Sequence, residues 1–203
     1  MPKLNNRSYI PDNFKGLPEN AELMFEGEIF DVYQWDQLAF DGKTKLKFEK
    51  LKRFDSVRII ALLNDGKILI NKEEQPGTGL FYDTPAGRHD NPKETEEEAA
   101  RRELLEETGY KFEHWKMVQA YQSLGKIDWI CYTFVAWGNR SKSDTNLDVG
   151  EKIETMHLDL DEVKELLKTT ENVRMTEKEK SLFFSANSIE DLKVLPDLRD
   201  NKN

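Results

Sequence analysis

The chain has 203 residues, of which 37% are hydrophobic, and 11 Phe and 4 Trp supply enough apolar volume for one packed domain with or without an N-terminal extension. Its formal net charge of −9 argues against loose electrostatic binding to nucleic acid. No apolar run approaches the roughly 18 residues of a membrane span, and the first residues lack the apolar core of a signal peptide. The lone Cys131 lies in an apolar stretch, which predicts a buried side chain, no disulfide and a cytoplasmic location.

The N-terminal quarter of the sequence predicts an arm followed by a β-hairpin. Residues 1–20 are polar and include Pro11 and Pro18, so we expect an arm without packed secondary structure. Residues 22–53 hold an aromatic-rich run, the strong turn dipeptide Asp41-Gly42 and a returning stretch with alternating apolar residues. We therefore divide the chain into residues 1–54, the arm and hairpin, and residues 55–203, the main domain.

The rest of the chain alternates strand-like and helix-like segments. A second hairpin runs from residue 57 to residue 71 around the turn at Asn64-Asp65-Gly66, and a Gly- and Pro-containing loop follows it. Further strands are predicted at 80–84, 115–122, 128–137 and 154–160, and helices at 95–109, 161–168, 176–185 and 188–195, with a long polar loop at 138–152. Mixed strands with helices on both sides predict the α/β class, as an α/β/α sandwich around a mixed sheet.

The helix at 95–109 carries clear signals at both ends. Thr95 and Glu98 have the spacing of a capping box, and Gly109 stands where a left-handed residue ends a helix. Glu97 and Arg101 are predicted to pair at i,i+4, and so are Glu98 and Arg102.

One face of this helix is unusually acidic. At 100° per residue, Glu103, Glu106 and Glu107 fall within roughly a 100° arc, and Glu96 projects into the same arc. Like charges at this spacing destabilise a helix by about 0.2–0.5 kcal/mol per pair. A hard divalent cation such as Mg²⁺, bound by carboxylate oxygens, would reverse that effect. An ordinary solvated acidic surface is the alternative interpretation.

Together with the preceding loop, this helix resembles the signature of the Nudix hydrolase family. That signature reads Gly, a short loop, Glu, seven residues, Arg-Glu, an apolar residue, any residue, Glu-Glu, any residue, Gly and an apolar residue. The matching positions here are Gly87, Glu94, Arg102-Glu103, Leu104, Glu106-Glu107, Gly109 and Tyr110. The loop after Gly87 holds six residues, Arg88 to Lys93, where five are usual; an insertion there costs little loop entropy.

Beyond the signature, the chain resembles the ADP-ribose and sugar-nucleotide pyrophosphatase branch of this family. The resemblance implies a homodimer in which the N-terminal hairpin is swapped to complete the nucleoside pocket. In that pocket it implies substrate contacts from Phe48, Glu49 and Arg53. Alternatively, Phe48 belongs to the core and the spacing of Glu49 and Arg53 is accidental.

Two positions bear on the choice of substrate. Many members of the branch carry an Arg facing the diphosphate just after the strand that 67–71 matches, and this chain has Gln75 there. An acidic residue commonly precedes the Pro-Ala-Gly stretch, and Asp83 occupies that place. Both residues are predicted to contact substrate, and the missing Arg weakens the case for ADP-ribose itself more than the case for the chemistry. Gln75 as a plain turn residue is the alternative.

The resemblance also implies the catalytic set. Glu103, Glu107 and the Ala86 carbonyl would bind Mg²⁺, with Mn²⁺ as a substitute, while Glu106 assists or binds a further ion. Arg102 would orient Glu103. For the general base the branch points to an acid on the loop before the 154–160 strand, which is Glu151 or, as second choice, Asp148.

The expected function is Mg²⁺-dependent hydrolysis of the diphosphate of an ADP-ribose-like nucleoside diphosphate sugar to a nucleoside monophosphate and a sugar phosphate. The alternative enzyme hydrolyses a nucleoside triphosphate or a dinucleoside polyphosphate. A non-catalytic nucleotide sensor on the same fold is disfavoured because every signature acid is present.

Overall fold

A computed structural model describes residues 2–147 and 149–201. The strands are β1 (Glu22–Phe25), β2 (Asp31–Leu38), β3 (Lys45–Lys52), β4 (Asp55–Leu62), β5 (Ile68–Gln75), β6 (Gly79–Asp83), β7 (Ala86–His89), β8 (Tyr110–Gln122), β9 (Ile127–Asp128), β10 (Ile130–Lys142) and β11 (Lys152–Leu158). The helices are α1 (Glu96–Thr108), α2 (Leu160–Thr169), α3 (Glu177–Ser185), α4 (Ile189–Lys193) and a terminal 3₁₀ turn (Leu198–Asn201).

The larger sheet is mixed and has the order β11-β5-β4-β10-β8, with β6 added to β5 and β7 added to β4. Its centre is the parallel pair β4 and β10, which runs in register from Cys131 opposite Ser56 to Trp137 opposite Leu62. Parallel strands at the centre of a sheet are buried on both faces, and the near-continuous apolar run in β4 fits that position.

Alternate residues of β4 face two separate cores. Ile59 and Ala61 pack with Leu104 of α1 on one face. Ile60 and Leu62 pack on the other face, in a core with these residues of α2, α3 and α4: Leu160, Val163, Leu167, Phe183 and Leu192. Helices therefore cover both faces of the sheet, and the predicted α/β/α sandwich is confirmed. None of the helices in the described part of the chain has the length and apolar character of a membrane span.

A smaller sheet, in the order β1-β2-β3-β9, contains the N-terminal hairpin. The turn at Asp41-Gly42 is as predicted, with Gly42 at φ 67°, but the run before it forms two strands, β1 and β2, rather than one. β9, from residues after the signature helix, pairs in parallel with β3. Hydrogen bonds thus cross the proposed boundary at 54/55, and the division into two units stays a prediction.

The N-terminal arm has no helix or strand among the residues described, but it is packed, contrary to the prediction. The Arg7 guanidinium lies 2.6 Å from Asp55 and 2.6 Å from Asp128 and stacks over the Phe14 ring. Both carboxylates are buried where the two sheets meet, and a buried carboxylate needs a cationic partner. Arg7 is that partner, so a polar residue holds the arm in place.

Several element ends differ from the prediction because strands continue through polar residues. β5 extends to Gln75, β8 begins directly after Gly109, and β10 extends through Lys142 into the predicted polar loop. β7 was expected to be loop, and Asp159 caps α2 instead of ending the preceding strand. Strand pairing satisfies the backbone groups of these residues whatever their side chains.

Candidate active site

A cleft of about 640 Å³ lies beside the region where the two sheets meet. It is lined by residues of β5, β6 and β7 and of the second half of α1. It collects residues that are far apart in the sequence. The predicted site residues that line it are Arg53, Gln75, Asp83, Ala86, Arg102, Glu103, Glu106 and Glu151.

Helix α1 places its acids at this cleft because both of its ends are fixed locally. The capping box between Thr95 and Glu98 is formed, and Gly109 adopts φ 75° with its N–H bonded to the Leu105 carbonyl. Glu107 points into the protein and is only 5% exposed. Its Oε2 accepts hydrogen bonds from Asn71 Nδ2 at 2.9 Å and from the Ala86 N–H at 3.2 Å.

Glu103 lies directly against β7. Its Oε1 accepts a hydrogen bond from the Arg88 N–H at 3.1 Å. A Cβ added to Gly87 would overlap the Glu103 carboxylate, so only glycine leaves room for it there. This close approach is a physical reason for the glycine at the start of the signature.

Arg102 forms hydrogen bonds with several acidic residues of the signature. Its guanidinium contacts Glu94 at 3.2 Å, Glu103 at 2.9 Å and Glu106 at 3.2 Å. The predicted pair of Glu98 and Arg102 is wrong, because the Glu98 carboxylate accepts hydrogen bonds from Thr95 in the capping box.

Glu96 does not belong to the acid cluster, although it projects into the same arc. Its carboxylate is buried and accepts hydrogen bonds from the backbone N–H groups of Ser8 at 2.7 Å and Tyr9 at 3.1 Å, and from the Ser8 hydroxyl. The arm of the chain, which helix geometry cannot anticipate, covers this end of α1.

The carboxylates of Glu73, Glu103 and Glu107 are buried or half-buried near one another, so their negative charges repel. Burial raises the pKa of Glu103 to about 7, and Arg102 opposes that rise only in part. Burial, followed by the charges of Glu73 and Glu103, raises the pKa of Glu107 well above its ordinary value. Burial, with the charges of Asp83 and Glu151, raises the pKa of Glu73 to about 7. Oxygen donors with excess negative charge suit a hard divalent cation, which would favour their ionised forms.

These residues have the oxygen donors that a metal ion needs, but their side chains are not arranged around one point. As the side chains are placed, no three acids, histidines or cysteines in the described ranges converge on one point. Assignment of Ala86, Glu103, Glu106 and Glu107 as ligands therefore stays a prediction.

Glu151 lines the cleft just before β11, and its charge contributes to the raised pKa values of Glu73 and Glu107. It is thus within electrostatic reach of the acid cluster. Asp148, the second candidate for the general base, lies outside the described residues.

The predicted substrate residues of the hairpin fall in two places. Arg53 lines the cleft, with its guanidinium stacked 4.5 Å from the centre of the Trp129 ring. Phe48 stacks on Trp35, and Glu49 accepts a hydrogen bond from the Gln34 side chain. Neither Phe48 nor Glu49 lines the cleft of its own chain, so their role depends on the predicted dimer.

Asp83 lines the cleft, but its carboxylate already has partners. It is ion-paired with Arg58 and accepts a hydrogen bond from the Thr84 N–H at 2.8 Å. Burial raises its pKa to about 6 despite Arg58. Arg58 is also 3.3 Å from Glu179, so Asp83 helps to hold this arginine in the wall of the cleft.

Sequence reasoning missed several residues of the cleft. The most prominent are Arg58, Glu73 and Arg174. Arg58 had a signal, since it is the single charge in the apolar run 57–63, whereas Glu73 lies in a run of five polar residues, 71–75, and nothing in the sequence marks it. Arg174 had none, because its segment has no regular structure in the sequence pattern.

Comparison with known proteins agrees with this geometry. Residues 52–178, more than half of the chain, match the NUDIX domain. The chain belongs to the Nudix family. Its members use divalent metal ions, and the prediction of an enzyme of the Nudix pyrophosphatase class is confirmed.

Two relatives of this Nudix protein have similar length. The ADP-ribose pyrophosphatase of Bacillus subtilis (strain 168) is 31% identical over 163 residues, which cover 77% of this chain and 87% of that protein. The methanol dehydrogenase activator of Bacillus methanolicus is 29% identical over 154 residues, which cover 73% and 80%. A crystal structure of an ADP compounds hydrolase superposes with a TM-score of 0.62 at 20% identity, covering 90% of this chain and 91% of that one, and supports the fold.

Proposed function

We propose that this Nudix enzyme hydrolyses the diphosphate of an ADP-ribose-like nucleoside diphosphate sugar, with Mg²⁺ as the cofactor and Mn²⁺ as a substitute. The products are a nucleoside monophosphate and a sugar phosphate. The observation that carries the proposal is the joining, in one cleft, of the α1 acid cluster with arginines from distant parts of the chain. The similarity to an ADP-ribose pyrophosphatase over most of both chains supports the choice of substrate class.

The chemical problem is attack by water on a phosphoanhydride that already carries negative charge. Bound divalent ions lower that barrier by neutralising charge and by activating water. Glu103, Glu107 and the Ala86 carbonyl would hold them, with Glu106 assisting. Arg102 keeps the Glu103 carboxylate in place through its 2.9 Å contact.

Glu151 is the proposed general base. It lies on the approach to β11 rather than on α1, in the same cleft as the acid cluster. A base must reach the proton of the attacking water, and a loop residue can adjust its position when substrate enters. Asp148 remains the second choice.

We also propose that the protein is a homodimer in the cytoplasm. The N-terminal sheet leaves large apolar side chains exposed, among them Met24 at 56%, Phe25 at 62% and Leu38 at 57%. In the proposed dimer a second copy covers them, and Phe48 and Glu49 contact the nucleotide in the partner's cleft. The single buried Cys131 fits a reducing compartment.

A substrate panel with product masses tests the activity. Sugar nucleotides, dinucleotides and triphosphates are incubated with Mg²⁺, and we expect ADP-ribose-like compounds to give a nucleoside monophosphate and a sugar phosphate. Preferential cleavage of triphosphates or dinucleoside polyphosphates would favour the alternative enzyme, and tight binding without turnover would favour a sensor.

The Glu107→Gln variant tests the metal-ligand assignment. The amide oxygen can still accept the hydrogen bonds from Asn71 and Ala86, while the charge is lost. We expect turnover to fall by more than about 100-fold and the metal-free protein to be at least as stable as wild type. Glu165→Gln, on the exposed face of α2, is the matched control. Turnover of Glu107→Gln within about threefold of wild type would end the assignment.

A further inference from the structure

Arg174 is held beside the cleft by a short extra strand-like segment. Tyr82 of β6 donates its N–H to the Asn172 carbonyl at 2.8 Å, and the Arg174 N–H donates to the Tyr82 carbonyl at 2.9 Å. These backbone bonds place Arg174 next to the end of β5 and β6, 99 residues from Gln75 along the chain. Its backbone position therefore does not depend on its side chain.

The Arg174 side chain lies along the wall of the cleft. Its guanidinium carbon is 3.6 Å from the centre of the Phe81 ring, which is only 4% exposed. Its Nη1 donates to Gln75 Oε1 at 3.4 Å. The stacking fixes the plane of the guanidinium and leaves most of its N–H donors available to a ligand.

Arg174 acts on the charge of Glu73, where it opposes the rise in pKa, but it forms no close ion pair. Within the described residues no carboxylate lies within 4.0 Å of its side-chain nitrogens, whereas Arg58 is paired with Asp83 and Glu179, and Arg102 with four acids. An arginine without an ion pair in a cleft rich in carboxylates indicates that its partner is an anion that comes from solution.

We propose that Arg174 binds the diphosphate of the nucleotide substrate and supplies, from the segment after α2, the positive charge that Gln75 does not carry at the end of β5. This inference rests on the proposed function. Because Gln75 contacts the same guanidinium, the two positions are close enough for one cation to serve in place of the other.

The proposal is tested by moving the positive charge from position 174 to position 75. With ADP-ribose as substrate, Arg174→Gln should raise KM about tenfold, equivalent to about 1.4 kcal/mol, and leave kcat within about twofold. The double variant Gln75→Arg/Arg174→Gln should recover most of the lost affinity. Arg140→Gln, an exposed arginine that pairs with Glu113 outside the cleft, is the matched control and should change neither constant.

Binding without turnover is the second readout. The affinity for α,β-methylene ADP-ribose, measured by titration calorimetry with Mg²⁺, should fall about tenfold in Arg174→Gln, while the melting temperature stays within about 2 °C of wild type. A purely structural role for the stacked side chain predicts the reverse, which is a lower melting temperature with unchanged affinity. That result would overturn the inference.

Failure of the substrate proposal is distinguishable from failure of this inference. If wild type hydrolyses ADP-ribose and Arg174→Gln has the same KM, the inference is wrong and the proposed function stands. If wild type neither hydrolyses nor binds ADP-ribose, the proposed function is wrong. The same titrations are then made with Mg²⁺ and inorganic pyrophosphate, and equal affinities or no binding would overturn the inference as well.

Discussion

Glu73 offers a direct test of the electrostatics of the cleft. This residue of β5 is 6% exposed, and burial with the charges of Asp83 and Glu151 raises its pKa to about 7. In the unfolded chain the same carboxyl loses its proton near pH 4.5. The native state therefore binds more protons between those values, and the free energy of unfolding falls as the pH rises through this range.

Replacement by glutamine removes this penalty while keeping the shape of the side chain. With about 1.4 kcal/mol for each tenfold change in proton affinity, the Glu73→Gln variant should be more stable than wild type by about 3 kcal/mol at pH 8. The gap should shrink to roughly 1.4 kcal/mol at pH 5.5, where native Glu73 is mostly protonated. For a chain of this length, the difference at pH 8 corresponds to about 6–12 °C in melting temperature.

The measurement is urea denaturation of the metal-free protein at both pH values, with EDTA present. Glu74→Gln is the matched control, since the neighbouring carboxylate is exposed and pairs with Lys152 at the surface. We expect the control to stay within about 0.5 kcal/mol of wild type. A Glu73→Gln variant that is no more stable than wild type at pH 8, or a gap that does not depend on pH, would refute the electrostatic argument.

Three further predictions concern other parts of the structure. Gly87→Ala should fold but lose more than about tenfold in kcat, because the added methyl group displaces the Glu103 carboxylate; unchanged kinetics would contradict the close approach. Arg7→Gln should cost about 3–5 kcal/mol of stability in urea denaturation, because it leaves Asp55 and Asp128 buried without their cation; a loss below about 1 kcal/mol would show that the arm is dispensable. Light scattering at micromolar concentration should give the mass of a dimer, and a fully active monomer would contradict the role proposed for the N-terminal sheet.

Much of the signature helix could be predicted from the sequence. Its capping box, its left-handed Gly109 and the pairing of Glu97 with Arg101 all formed as expected. These features involve residues at most a few positions apart, so backbone geometry alone decides them. The second hairpin was predictable for the same reason, because its turn residues set the pairing of β4 and β5.

Long-range contacts were beyond this kind of reasoning. Helix spacing put Glu96 among the metal-facing acids, yet the arm binds its carboxylate. The same spacing offered Glu98 as a partner for Arg102, which instead binds Glu94 from the loop. In both cases two partners competed for one charged group, and the outcome depended on how distant segments pack.

The sequence by itself determined the family, through the signature from Gly87 to Tyr110, and the acids that α1 presents together. The position of the acids follows from spacing within one helix, where rise and twist per residue are constant. Only the tertiary structure decided which charges in the cleft are neutralised. Packing of α1 on the sheet places Glu107 against Asn71, the segment after α2 brings Arg174 to Gln75, and side-chain packing pairs Arg58 with Asp83. Ion pairing depends on distance in space and on burial, and neither is a function of distance along the chain.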